Sequence, residues 1–145
     1  MEVYSQSQGV YDDRKSISRI LKLPLDLVRV ILMPNGGGFG GKESQASIIA
    51  SITALCSWIV QKPTKLRLTR KDDMLATGKR HDFISIYKVG FKRNGKIEGL
   101  EVDLLSRAGN VADLSGPVMT RAMTHIDNCY SLKDVTINGY CCKTN

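Results

Sequence analysis

The sequence predicts an α+β fold: a mixed sheet with a long β-hairpin and two main helices. Three features carry that expectation. An Asn-Gly pair joins two alternating segments, two long stretches repeat apolar residues at helical spacing, and short branched runs lie beside them. With 145 residues, 42% hydrophobic and 24% charged, the chain is expected to form one domain, residues 1–145, with a real core.

The elements follow in order. "MEVYSQ", residues 1–6, carries Val and Tyr and reads as a strand. "DDRKSISRILKL" reads as a helix, with Asp12 and Asp13 at its positive end and Ile17, Ile20 and Leu21 on one face. Pro24 stops it. "LDLVRVILM" is dense in branched residues and predicts a strand over 25–33. From Lys42 to about Val60 the spacing is helical, with Ile48, Ile52, Leu55 and Ile59 on one face; Ala46, Ile49 and Trp58 widen the apolar surface, so burial on most sides is expected. Cys56 falls in that core. Pro63 ends the helix, and "TKLRLTR" predicts a strand over 64–70. "KDDMLATG" fits one or two helical turns. "FISIYKVGFK", "RNGK" and "IEGLEVDLLS" make the hairpin, with Leu100, Val102 and Leu104 on one side. "PVMTRAMTHID" reads as a short helix and "DVTINGYCCKTN" as a last strand.

Composition narrows the function. The start has no basic region followed by an apolar run, so it does not read as a signal peptide. The uncharged stretch from Ser44 to Gln61 carries too many hydroxyls and amides for a membrane span. The cysteines, Cys56, Cys129, Cys141 and Cys142, form no CxxC pair, and His81 and His125 are isolated; neither a zinc site nor a disulfide framework is expected, and a reducing cytoplasmic setting is. The net charge is +7, with five basic residues from Lys62 to Lys71. No aromatics alternate with them as a base-stacking platform requires, so a nucleic-acid partner is not expected.

"NGGGFGGKES", Asn35 to Ser44, is the segment that points to chemistry. A strand, bare backbone and then a helix start form anion-binding architecture. Gly36, Gly38 and Gly41 satisfy G-x-G-x-x-G, but no acid occurs between Glu43 and Asp72 to meet a ribose. Gly36, Gly41 and Lys42 satisfy most of a phosphate-binding loop, but Glu43 stands where a magnesium-binding hydroxyl belongs. Five glycines exceed the needs of a turn, so the backbone is expected to admit the close approach of an oxygen-rich group, with the Phe39 ring walling one side. Glu43, one turn into the helix, would offer an acceptor to a ligand bearing N–H donors. A stand-alone anion- or nucleotide-binding module and a basic interaction domain are the alternatives to an enzyme component.

"GGGFGGKE" resembles the signature of the xanthine dehydrogenase/aldehyde oxidase family, in its molybdenum-cofactor domain. The similarity runs on through "DDMLATGKRHDF", "YKVGF", "LEVDLLSRAGN", "HIDNCY" and "CCKTN", over nearly the whole chain. The resemblance implies part of an oligomeric enzyme using a molybdenum–molybdopterin cofactor, with FAD and 2Fe-2S clusters in other domains or subunits. The implied reaction is hydroxylation of an electron-poor carbon with water as oxygen source. It also implies roles: Gln8 beside an oxygen ligand of the molybdenum, Phe39 with flanking Gly38 and Gly40 against the metal centre, and Glu43 hydrogen-bonded to a purine. Aldehyde oxidases typically carry an apolar residue at the position of Glu43, so xanthine or hypoxanthine is the implied substrate. The family's substrate-binding arginine and catalytic-base glutamate are expected beyond Asn145, leaving no catalytic residue here and no activity in this piece alone.

Overall fold

The strands β1 (Glu2–Ser5) and β2 (Arg29–Leu32) run parallel, with Val3 opposite Val30 and Ser5 opposite Leu32. The chain crosses between them through helix α1 (Val10–Leu21). Asp13, Ile17 and Leu21 recur every four residues and form its buried stripe. Lys22 ends the helix in the left-handed region, φ 53°, its N–H bonded to Ser18 O, so the stop precedes Pro24. The segment expected as one strand over 25–33 divides. Leu25–Leu27 form a 3₁₀ turn, and only Arg29–Leu32 are strand. The Arg14 guanidinium ties the turn down, with Nε 2.9 Å from Leu25 O and 2.8 Å from Val28 O.

Helix α2 (Gln45–Val60) packs on α1 through its small residues. Ser47, Ala50, Ser51 and Ala54, spaced i, i+3, i+4 and i+7, are the buried ones. Ile48, Ile52, Leu55 and Ile59 are exposed, Ile59 to 70%, and so is Cys56. The expectation of a helix buried on most sides is therefore corrected, as is Cys56 in the core. Large side chains drew the apolar face, but close contact with α1 selects small ones. The core here is Val3, Ile17, Leu21, Val28, Ala50 and Ala54. The strand expected over 64–70 is absent; residues 64–69 adopt no regular secondary structure and pair with no strand, and Arg70 already belongs to a helix. Alternation alone supplies no partner for the backbone groups. Helix α3 (Arg70–Ala76) follows, capped by Thr69, whose hydroxyl accepts from the Asp72 N–H.

The computed structural model describes residues 1–145, and these divide into two units, Met1–Arg80 and His81–Asn145. The second holds the hairpin, β3 (Phe83–Phe91) antiparallel to β4 (Ile97–Gly109). Gly95 takes φ +82° in the turn, and its N–H bonds to Lys92 O at 2.9 Å. Helix α4 (Ser115–Thr124) leads to β5 (Asp134–Lys143), parallel to β4, giving the order β3-β4-β5. Val102, Leu104 and Met119 form its core, with Leu100 packed beside them. The class is α+β as expected, and the α1 and α2 helices are the two longest.

Candidate functional site

The segment from Met33 to Ser44 leaves β2 and closes back on the residues that leave β1. Met33 N–H donates to Ser5 O (2.9 Å), and Gln6 Nε2 donates to Pro34 O (3.2 Å). Beyond these, Gln8 and Lys42 bond twice. Gln8 N–H donates to Lys42 O at 2.8 Å, and Lys42 N–H donates to Gln8 Oε1 at 3.0 Å. Only an oxygen can accept from that backbone N–H, so the amide's orientation is set by chemistry. Its Nε2 is left as a donor with no partner in the chain.

Gly38 makes this possible. A Cβ there would overlap the Gln8 side chain at Cδ and Oε1 and lie 2.6 Å from Cγ. The amide thus rests on bare backbone. The next two residues both take positive φ, 51° at Phe39 and 80° at Gly40. For Phe39 that conformation costs roughly 1–2 kcal/mol. Its ring folds back over Gly37, where a Cβ would meet Cε2 at 2.6 Å, and remains 87% exposed. The loop's glycines therefore answer partly to the protein's own side chains, Gln8 and Phe39, and not only to an approaching ligand. Gly41 N–H closes the turn onto Gly38 O at 2.8 Å.

Asn35 buckles the loop. Its Oδ1 accepts from Gly37 N–H (3.3 Å) and from Lys42 Nζ (2.7 Å). The lysine that a phosphate-binding loop would turn toward its ligand is engaged in holding the loop instead. Glu43 lies ahead of the helix, since α2 begins at Gln45 after the cap residue Ser44. It was expected one turn inside. Its carboxylate is exposed and takes no hydrogen bond or ion pair within the chain; Gly40 is its near neighbour, a Cβ there falling 3.9 Å from Glu43 Oε1. Gln8, Gly38, Phe39, Gly40 and Glu43 therefore belong to one surface.

Sequence reasoning missed the supports. Ser7 Oγ accepts from Gly9 N–H at 2.9 Å and lies 3.4 Å from Lys42 O. Asp13, fully buried, accepts from Ser47 Oγ at 2.8 Å through Oδ1. Asp13 was read as a helix-end charge; nothing in its spacing distinguishes it from the exposed Asp12. Asn directly before glycines is a turn-forming signal by which Asn35 could have been found. In the second unit, His81 Nε2 sits 2.8 Å from Ser115 Oγ.

The strand–glycine–helix segment is the candidate site on this α+β frame, and comparison with known proteins gives the class of the domain, a cofactor-binding one. A sequence model of the molybdopterin cofactor-binding domain family matches residues 1–145. The chain belongs to that family. It is similar to the xanthine dehydrogenase/oxidase of Gallus gallus, 41% identical over 145 residues, and to the xanthine dehydrogenase of Oryza sativa subsp. japonica, 40% identical over 145. A nicotinate hydroxylase of Emericella nidulans is 37% identical over the same length. In all three the match covers 100% of this chain and 11% of the relative. The chain thus spans about a tenth of the length of the curated relatives it matches. Among solved structures, the aldehyde oxidoreductase of Desulfovibrio gigas shares the fold, with a TM-score of 0.83 at 24% identity over 99% of this chain and 16% of that one.

Proposed function

We propose that this chain is the part of a purine-oxidising molybdenum hydroxylase that seats the cofactor's metal end and grips the substrate. The observation that carries the proposal is the Gln8 amide: its oxygen is committed to the Lys42 N–H, so its Nε2–H is the end it can offer to an oxygen ligand. The residues fit the group. Gly38 seats the Gln8 amide, and the bare backbone at Gly40 with the left-handed turn at Phe39 leaves room for an oxygen-rich centre to approach closely. When bound, the molybdenum cofactor supplies the redox centre at which an electron-poor carbon is hydroxylated with oxygen from water. FAD and 2Fe-2S clusters would lie in other domains or subunits of the whole enzyme.

Glu43 presents an unpaired carboxylate beside Gly40. It can accept N–H hydrogen bonds from a purine and so orient the ring. Hydrogen bonds to a group where charge changes during reaction stabilise the transition state more than the ground state. A nicotinate-like substrate would bring its own carboxylate against Glu43, and like charges in a poorly solvated site repel. That favours a neutral heterocycle such as hypoxanthine or xanthine. The test is Glu43→Val in the intact enzyme, assayed on a purine and on an aldehyde. Purine kcat/KM is expected to fall at least about a hundredfold more than aldehyde kcat/KM, the loss of charge-assisted bonds to a buried ligand. Equal losses on the two substrates would refute the assignment.

A further inference from the structure

We propose that Asp13 and Ser47 are positioning residues that hold Gln8 and Glu43 at their mutual spacing, a role that rests on the function proposed above. The two lie on different helices, each shortly after one of the site residues. Asp13 is fully buried in the first turn of α1, five residues after Gln8. Ser47 is in the first turn of α2, four residues after Glu43.

Their hydrogen bond closes a circuit. Gln8 and Lys42 bond to each other through both backbone and side chain. From Gln8 the chain passes to Gly9, whose carbonyl accepts from Asp13 N–H at 3.0 Å. Asp13 Oδ1 accepts from Ser47 Oγ at 2.8 Å. Ser47 N–H donates to Ser44 O at 3.2 Å, and Ser44 follows Glu43 and Lys42 in the chain. No link in the ring is longer than a hydrogen bond or a few covalent residues. Small residues Ala50, Ser51 and Ala54 bring α2 close enough to α1 for Ser47 to reach.

Helix stability does not explain the burial. A carboxylate in the first turn gains from the helix N-terminus when exposed, as Asp12 is. Burying it costs desolvation that one neutral hydrogen bond offsets only in part, and Oδ2 has no partner in the chain. In some proteins a buried polar contact of this kind fixes one arrangement of neighbouring elements over close alternatives. The arrangement chosen here is that of the two helix starts carrying Gln8 and Glu43.

The test uses the intact enzyme in three variants. Ser47→Ala opens the ring. Asp13→Leu with Ser47→Ala opens it while removing both polar partners, which guards against misfolding from an orphaned carboxylate. Ile17→Val loosens the same helix pair and leaves the ring closed. Amide hydrogen exchange at Gly41 and Lys42 is followed in enzyme prepared without molybdenum cofactor, and kcat and KM are measured on the loaded enzyme. Both ring-opening variants are expected to speed exchange at Gly41 and Lys42 about tenfold or more. They should lower kcat by roughly ten- to a hundredfold, the cost of a displacement of about 1 Å. Ile17→Val should do neither. Unchanged exchange in both ring-opening variants would overturn the ring itself. Faster exchange with unchanged kcat would overturn the proposal by taking the loop's placement out of the reaction, and would count against the proposed function as well.

Discussion

Gln8 is an exposed amide whose chemistry is decided by a neighbour's backbone. Lys42 N–H holds its oxygen, Gly38 gives its carbons room, and Nε2 is left without a partner in the chain. The loop and the amide therefore act as one device, and a methyl group should separate them. Gly38→Ala places a carbon where the Gln8 side chain lies, so the amide must leave. In the intact enzyme, this variant is expected to lower kcat by about a hundredfold, comparable to losing a donor to a developing charge. Thermal melting should move little, because Gly38 lies on the surface loop and not in the core. A variant that keeps full kcat would separate Gln8 from the chemistry. Phe39 makes the complementary point: a left-handed, exposed aromatic is maintained at a cost, and such strain gathers where function needs it.

The helices and strands show what the sequence discloses and what it withholds. The hairpin was legible because the Asn-Gly turn and the two-residue alternation of Leu100, Val102 and Leu104 agree, and Val102 and Leu104 are indeed buried. α1 was legible through Ile17 and Leu21. The face of α2 was not, because Ser47, Ala50, Ser51 and Ala54 look unremarkable in sequence and are chosen by proximity to α1. The segment 64–70 failed for a related reason: strand propensity is realised only where another strand offers its backbone groups, and none does here. Gln8 and Glu43 could be named from the family resemblance, yet their shared support in Asp13 and Ser47 is a contact between positions 34 apart, which no local pattern encodes. The α1–α2 contact also carries the stability of the site. Ile17 is fully buried in it. Ile17→Ala should cost about 2–5 kcal/mol, the transfer and cavity terms together. Denaturant unfolding of the intact enzyme, or local exchange in α1 and α2, would measure it; a cost under about 0.5 kcal/mol would mean that the core described here is not the one that holds the helices.

Large apolar side chains lie exposed in each unit: Ile48, Ile52 and Ile59 on α2, and Ile84, Ile86 and Phe91 on β3. No helix is long and apolar enough to cross a membrane. Surfaces of this kind mark sites of further protein contact. The 145-residue chain expressed alone is therefore expected to self-associate in light scattering and to turn over no purine. A clean monomer with measurable turnover would contradict both expectations. The central claim, however, concerns one contact in the complete enzyme. A crystal structure of that enzyme loaded with molybdenum cofactor should show Gln8 Nε2 about 3 Å from an oxygen ligand of the metal, with the Phe39 turn against the same centre. A Gln8 amide turned to bulk water, with the glycine loop facing away from the metal, would contradict it.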